Sequence, residues 1–210
     1  MQRWKNSPEI KNAMIYLYGA SGHGKVIADI VTAQGDTIGG FIDADTSKKV
    51  WQYNTYATLP SQFSNDDAII ISIGSNSIRK RLAAELAAYR FAKAIHPNAV
   101  VSSHSSVGVG TVIMAHVSVN ADATVGTHCI LNTNCSIDHD CVLENFVHIS
   151  PNATLCGNVY VGEGTHVGAG AVIIQGKRIG KNVTIGAGAV VIRDVPDNAV
   201  VVGNPAKQIR

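Results

Sequence analysis

The hydrophobic pattern of the second half of the chain repeats every six residues. Val101 and each sixth residue after it, as far as Val191, is Val, Ile or Leu, and the register never slips. A mostly small residue lies two positions earlier, and residues two apart share one face of a strand. Both columns therefore point inward, which predicts a parallel β-helix. With three hexapeptides in each triangular coil, the segment forms roughly five coils.

The first half of the chain alternates strand and helix patterns. Strands are predicted at 15–18, 39–43 and 68–73, and helices at 22–33 and about 76–89. This alternation indicates a small parallel α/β sheet that is shorter than a full dinucleotide-binding domain. Pro97 marks the predicted boundary between an α/β domain at 1–97 and a β-helix with a C-terminal tail at 98–210.

Composition excludes several classes of protein. Seventeen Lys and Arg residues nearly balance fifteen Asp and Glu residues, and no basic run suggests a nucleic-acid binder. No apolar run reaches the length of a membrane span, and residues 1–13 lack a signal-peptide core. Three of the four cysteines, Cys129, Cys135 and Cys141, lie in the inward column. Reduced thiols in a cytoplasmic protein are therefore expected, with no disulfide and no metal site.

The turn after the first predicted strand is rich in glycine. Gly19 to Lys25 match the glycines and lysine of a P-loop, but Val26 replaces the Ser or Thr that binds magnesium, so an NTPase is not expected. Glycines before a helix N-terminus nevertheless favour a phosphate-bearing ligand. Asp43, at the end of the next strand, is a candidate acceptor for a ribose or a base. The alternative interpretation is a tight turn without a ligand.

These motifs together resemble the sugar O-/N-acyltransferases of the sialic acid O-acetyltransferase type, and most closely the bacterial UDP-N-acetylbacillosamine N-acetyltransferases. The resemblance covers about residues 14–210 and lies in the segments 18–25, 41–43, 73–76, 132–141, 155–158 and 202–207. It implies a Rossmann-like α/β N-terminal domain followed by a left-handed parallel β-helix of hexapeptide repeats, a homotrimer, and acetyl-CoA as co-substrate. It also implies a nucleotide-sugar-binding N-terminal domain and a UDP-linked 4-amino-4,6-dideoxy sugar as acceptor. Residues 1–13 have no counterpart in the resemblance.

The resemblance carries site residues over to this chain. The residues implied in catalysis are Asn132, His139, Asp140 and His148. Those implied in binding the nucleotide sugar are Gly19, Ser21, Gly22, His23, Gly24, Lys25, Asp43, Gly74 and Asn76. Those expected to bind acetyl-CoA are His148, Gly157, His166, Ala169, Lys177, Lys181 and Lys207. Asp140 departs from the family pattern, because Glu is common at that position.

The repeat places the histidines on the solenoid. His139 falls at a corner, whereas His148 lies between inward Val147 and Ile149 and must face outward. His166 should stack on His148 in the next coil. Since His139 and His148 are half a coil apart, a site that uses both is expected to be shared between protomers. In the predicted mechanism His139, oriented by Asp140, removes a proton from the sugar amine as it attacks the thioester.

Other functions fit part of this evidence. A sialic acid or other sugar O-acetyltransferase would use the same His–Asp pair, and the amino sugar could be linked to dTDP or GDP. A metal-dependent carbonic anhydrase needs three histidine ligands at fixed spacing, and its H-x₄-H pair is absent here. A non-catalytic protein that binds nucleotide sugars is a further alternative.

Overall fold

A computed structural model describes residues 13–210, and expectations for residues 1–12 lie outside them. The first part, here called the sheet domain, has four strands and two helices. They are β1 (Met14–Tyr18), α1 (Gly22–Gln34), β2 (Thr37–Ile42), β3 (Thr55–Tyr56), β4 (Ala68–Ile71) and α2 (Asn76–Glu85). The strands pair in parallel in the order β3-β2-β1-β4. The predicted strands and helices are present, but β4 ends at Ile71 rather than residue 73 and α2 ends at Glu85 rather than near residue 89. Strand β3 was not predicted.

Three loops meet at the carboxyl edge of this sheet. β1 leads into the Gly-rich turn, β2 leads into Asp43, and β4 leads into the loop before α2. Parallel strands gather such loops at one edge, where ligands of open α/β sheets bind. Gly24 is required there by packing, since a Cβ at Gly24 would lie 2.3 Å from the carbonyl oxygen of Gly19. Helix α1 thus approaches the turn more closely than any side chain would allow.

The remaining strands form a solenoid of short, evenly spaced strands. They are β5 (Ala94–Ile95), β6 (Val100–Val101), β7 (Ser106–Val107), β8 (Val112–Ile113), β9 (Ser118–Val119), β10 (Thr124–Val125), β11 (Ile130–Leu131), β12 (Ser136–Ile137), β13 (Val142–Leu143), β14 (His148–Ile149), β15 (Thr154–Leu155), β16 (Tyr160–Val161), β17 (His166–Val167), β18 (Val172–Ile173), β19 (Arg178–Ile179), β20 (Thr184–Ile185), β21 (Val190–Val191), β22 (Val200–Val202) and β23 (Lys207–Gln208). The first of them, β5, lies just before Pro97.

The solenoid has three faces, each a sheet of strands from successive coils. The first face contains β7, β10, β13, β16 and β19, and the third contains β6, β9, β12, β15, β18 and β21. The second face contains β5, β8, β11, β14, β17, β20, β22 and β23. The predicted Val, Ile and Leu positions are the second residues of β6 to β21, and they form one apolar core with the inward cysteines. The predicted fold class is confirmed, and the coil geometry is consistent with a left-handed β-helix.

The corners of the solenoid repeat a left-handed backbone conformation. Asp122, Asn134, Asp140 and Asn152 all have φ of 59°, and glycines take the same place at several corners of later coils. Short Asn and Asp side chains tolerate this region far better than bulky residues. His116, His128 and Phe146, with φ of 60°, 53° and 60°, are the bulky residues at these corners.

The sheet domain covers part of the second face. Val112, Met114 and Ile130 share one buried apolar cluster with Ile27 and Val31 of α1. Along the same outward column the next two residues are histidines, His148 and His166. The column therefore changes from apolar to polar at the rim of the domain junction.

Candidate active site

His139 and Asp140 form a pair at the corner between the third and first faces. The Nδ1 atom of His139 lies 2.7 Å from Oδ2 of Asp140, and both side chains are exposed. A carboxylate only accepts hydrogen bonds, so Nδ1 carries the proton and Nε2 presents its lone pair. The hydrogen bond to Asp140 raises the pKa of His139, and the charge of Asp138 adds to this effect. The ring is therefore oriented and made more basic by its neighbour.

An open cleft of about 460 Å³ lies beside His139. Its lining residues are Asp138, His139, Cys156, Gly157, Asn158, Gln175 and Gly176. Gly157 permits the ring to lie directly over the backbone, because a Cβ there would be 2.6 Å from Nε2 of His139. The reactive nitrogen thus faces the cleft wall of the next coil.

Asp43 is already engaged by the sheet domain. Its Oδ2 accepts the N–H of Ala20 at 2.9 Å, and Lys48 Nζ lies 2.9 Å from both carboxylate oxygens. Partial burial opposes ionisation of Asp43, but these hydrogen bonds outweigh it and lower the pKa of the carboxyl. Asp43 therefore ties the Gly-rich turn to the following loop, while Ser21, Gly22 and Lys25 of the turn remain exposed.

The rim of the domain junction carries a histidine cluster. The rings of His148 and His166 stack with their centroids 4.8 Å apart, as the repeat predicted. His23 of the Gly-rich turn lies 6.5 Å from His148, and Asn132 Nδ2 lies 3.3 Å from Nε2 of His148. The outward His148 therefore faces the Gly-rich turn of its own chain.

The histidines of this junction are held neutral. Burial, together with the positive charge of Arg79, lowers the pKa of His23 to about 4. Burial is also the main cause that lowers the pKa of His148 to about 3, with His166, Arg79 and His23 contributing. The Nε2 atom of His23 is buried and has no hydrogen-bond partner within residues 13–210.

The residues expected to bind acetyl-CoA lie in separate places on one chain. Gly157 lies beside His139 after β15 of the third face, while His148 and His166 belong to the second face. Lys181 lies 3.7 Å from Glu144 near the first face, and it lines a second cleft of about 490 Å³. Lys177 directly follows Gly176, which lines the cleft beside His139, whereas Ala169 lies in the loop after β17 and Lys207 begins β23 of the second face. Within one chain, the residues expected to bind acetyl-CoA are therefore spread over several faces of the solenoid.

Two residues of α2 anchor the junction, and one of them was not predicted from sequence. Asn76, expected to bind substrate, donates from Nδ2 to the carbonyl oxygens of Gly164 and Thr165 at 2.9 and 3.2 Å. Arg79 is 1% exposed and donates to five acceptors, none of them a carboxylate. A buried arginine without a carboxylate partner is rare. The burial of Arg79 could not be recognised from the sequence, because it depends on how the two domains pack. Gly74 lies in the loop before α2, and its backbone interacts with the His148 ring.

No cluster of three or more His, Cys, Asp or Glu side chains within residues 13–210 has the arrangement of a metal site. Over the same residues, neither helix is long and apolar enough to cross a membrane.

Comparison with known proteins assigns both parts of the chain. Residues 14–86 match the PglD N-terminal domain, and residues 140–175 match the bacterial transferase hexapeptide family. A point mutant of the perosamine N-acetyltransferase of Caulobacter crescentus, solved with CoA and GDP-perosamine, has 35% identity and a TM-score of 0.90. That match covers 94% of this chain and 97% of the other. The chain belongs to the hexapeptide-repeat family of sugar N-acetyltransferases.

Two further relatives support the same family. The acetyltransferase domain of PglB from Neisseria gonorrhoeae FA1090, solved with acetyl coenzyme A, has 39% identity and a TM-score of 0.89. That match covers 94% of this chain and 100% of the other. The UDP-N-acetylbacillosamine N-acetyltransferase of Bacillus subtilis (strain 168) is 40% identical over 110 residues, which are 48% of this chain. The alignment spans about half, 51%, of that curated relative. The predicted family and the predicted acyltransferase class are confirmed.

Proposed function

We propose that the protein transfers an acetyl group from acetyl-CoA to the amine of a nucleotide-linked amino sugar. The observation that carries this proposal is the His139–Asp140 pair beside an open cleft, in a family of sugar N-acetyltransferases. The acceptor that the resemblance favours is a UDP-linked 4-amino-4,6-dideoxy sugar. The relatives solved with GDP-perosamine make a GDP-linked amino sugar the second candidate.

The proposed chemistry is a direct transfer with His139 as general base. The amine nitrogen of the sugar bonds to the carbonyl carbon of the thioester while Nε2 of His139 takes a proton from that amine. The C–S bond then breaks. The proton finally reaches the departing CoA thiolate. The N–H of Gly157 forms no hydrogen bond within the described residues and lies beside His139, so it is a candidate donor to the oxyanion.

The acceptor is proposed to be held at the carboxyl edge of the sheet domain. The exposed part of the Gly-rich turn suits its phosphates, and the unpartnered Nε2 of His23 faces the junction beside His148. His139 lies at the corner opposite the second face of its own chain. A homotrimer in which this corner meets a neighbour's junction would bring base and acceptor together.

The proposed function is tested by a panel of acceptors. Thiol release from acetyl-CoA should be measured with UDP-, dTDP- and GDP-linked 4-amino sugars and with free sialic acid, and each product should be weighed by mass spectrometry. We expect turnover with one nucleotide-linked amino sugar and a product heavier by one acetyl group that survives mild alkaline treatment. An alkali-labile product would indicate O-acetylation, and an absence of turnover with every acceptor would contradict the proposal.

A further inference from the structure

Arg79 occupies the centre of the domain junction. Its Nε donates to the carbonyl oxygen of His128 at 2.7 Å, and its Nη2 donates to the carbonyl oxygen of Phe146 at 3.0 Å. These two solenoid residues lie on stacked coils, and both are corner residues with positive φ, 53° for His128 and 60° for Phe146. One guanidinium thus bridges two corners of the solenoid.

The other donors of Arg79 hold a loop of the sheet domain. Nη1 donates to the carbonyl oxygens of Ile73 and Gly74 at 3.1 and 3.2 Å, and Nη2 donates to Oδ1 of Asn76 at 2.8 Å. This loop follows β4 at the carboxyl edge of the sheet, and the backbone of Gly74 interacts with His148. Arg79 is therefore the connection between the acceptor edge of the sheet and the coil that carries His148.

Stability alone is a poor explanation for this arrangement. Burial lowers the pKa of Arg79 to about 10, so the guanidinium is still charged at neutral pH. No carboxylate among the described residues forms an ion pair with it. A buried cation is costly unless paired, and an apolar side chain would fill this position more cheaply. The planar fork, in contrast, fixes several acceptors at once in one geometry.

We propose that Arg79 is a positioning residue for the acyl transfer proposed above: its guanidinium fixes the loop at residues 73–76 on the His128 and Phe146 corners and so sets the spacing of His23 and His148. Arg79 is not a catalytic residue, because all of its N–H donors are used within the chain. The inference rests on the proposed function for its kinetic consequence only, since the spacing itself can be measured without turnover.

Arg79→Lys and Arg79→Met separate geometry from charge, and Arg81→Met on the exposed side of α2 is the matched control. Lysine retains the charge but lacks the planar fork, and methionine lacks both. The kcat of both Arg79 variants should therefore fall by about 10²-fold, which is the usual effect of misplacing a reacting group by roughly 1 Å. Calorimetry should first identify which of UDP, GDP and dTDP binds the wild-type protein most tightly. The dissociation constant of that nucleotide should change by less than about threefold in the Arg79 variants, because the Gly-rich turn remains intact. Arg81→Met should behave as the natural protein.

Imidazole NMR on the full chain provides a reading that does not depend on the reaction. In Arg79→Lys, which keeps a cation at the junction, the pKa values of His23 and His148 should rise because the loosened loop admits water, whereas a merely thermal weakening would leave them unchanged in the folded protein. Wild-type kcat in Arg79→Lys, or unchanged histidine signals in both Arg79 variants, would overturn the inference. Failure of the wild-type protein to acetylate any acceptor would contradict the proposed function and leave the NMR result as the test of positioning.

Discussion

The imidazoles of His139 and His148 experience opposite surroundings. Asp140 raises the pKa of the exposed His139, whereas burial lowers the pKa of His148 to about 3. Titratable groups whose environments push their pKa values apart usually have different tasks in a site. His139 is suited to accept a proton, and the neutral His148 is suited to hydrogen bonding and packing against a ligand.

The pH dependence of turnover tests the role of Asp140. His139 must be neutral to act as a base, so kcat/KM of the wild-type protein should rise with pH through a pKa above the ordinary histidine value. Asp140→Asn removes the hydrogen bond to the carboxylate, so this acid limb should move to lower pH. Its loss in kcat should be smaller than the about 10²–10⁴-fold expected for His139→Ala.

The conservative variant Asp140→Glu is the control for this measurement. It retains a carboxylate, and its acid limb should therefore stay near that of the wild-type protein. If Asp140→Asn and the wild-type protein show the same acid limb, the groups that govern it lie elsewhere and His139 is not oriented by Asp140.

At the scale of elements, the inward columns hold the solenoid together. Ile185 is 1% exposed on β20, and its neighbour Thr184 on the same strand points outward and is exposed. Ile185→Ala should lower the free energy of unfolding by about 2–5 kcal/mol, because it removes buried methyl groups and leaves a cavity. Thr184→Ala should change it by no more than about 0.5 kcal/mol. Urea denaturation of both variants provides the comparison, and equal losses would contradict the assignment of inward and outward columns.

The domain junction should weaken in acid. His23 and His148 have folded pKa values of about 4 and about 3, below the ordinary value near 6.5. The unfolded chain therefore binds more protons below pH 6.5, and the free energy of unfolding should fall as the pH drops from about 6.5 towards 4. Replacing His148 by Gln should flatten this dependence. The exposed His104, replaced by Gln, is the control, and equal slopes in the two variants would contradict the account.

Sequence predicted the elements better than the contacts between them. The hexapeptide register located the second residue of every strand from β6 to β21, because a period of six is local and leaves one choice of inward face. It also indicated that His148 faces away from the solenoid core. It gave no sign that the sheet domain covers that face, since the packing of two domains depends on surfaces far apart in the chain.

Arg79 shows the same limit at a single residue. A helical arginine is normally exposed, and its acceptors at His128 and Phe146 lie 49 and 67 residues away in sequence. Asn76 was predicted to bind substrate on the resemblance, but its amide is used between the domains. Long-range hydrogen bonds of this kind leave no periodic signal in a single sequence.

The positions of the sites within one chain are the basis for the proposal that the protein acts as a trimer. The Gly-rich turn and His148 face one another at the junction, whereas His139 and its cleft lie at the opposite corner of the same chain. A cyclic trimer would repeat one heterologous contact three times and close. Each such contact would join the base of one protomer to the acceptor edge of the next.

Subunit complementation tests this account most directly. Equal amounts of His139→Ala and His148→Ala chains, each nearly inactive alone, should be unfolded together, refolded and checked for mixed trimers by mass spectrometry. Random assembly of a cyclic trimer leaves one intact site in each mixed trimer, so acetyl transfer should recover to about one quarter of the wild-type rate. Verified mixed trimers with no recovered activity would contradict a site shared between protomers and place the whole reaction within one chain.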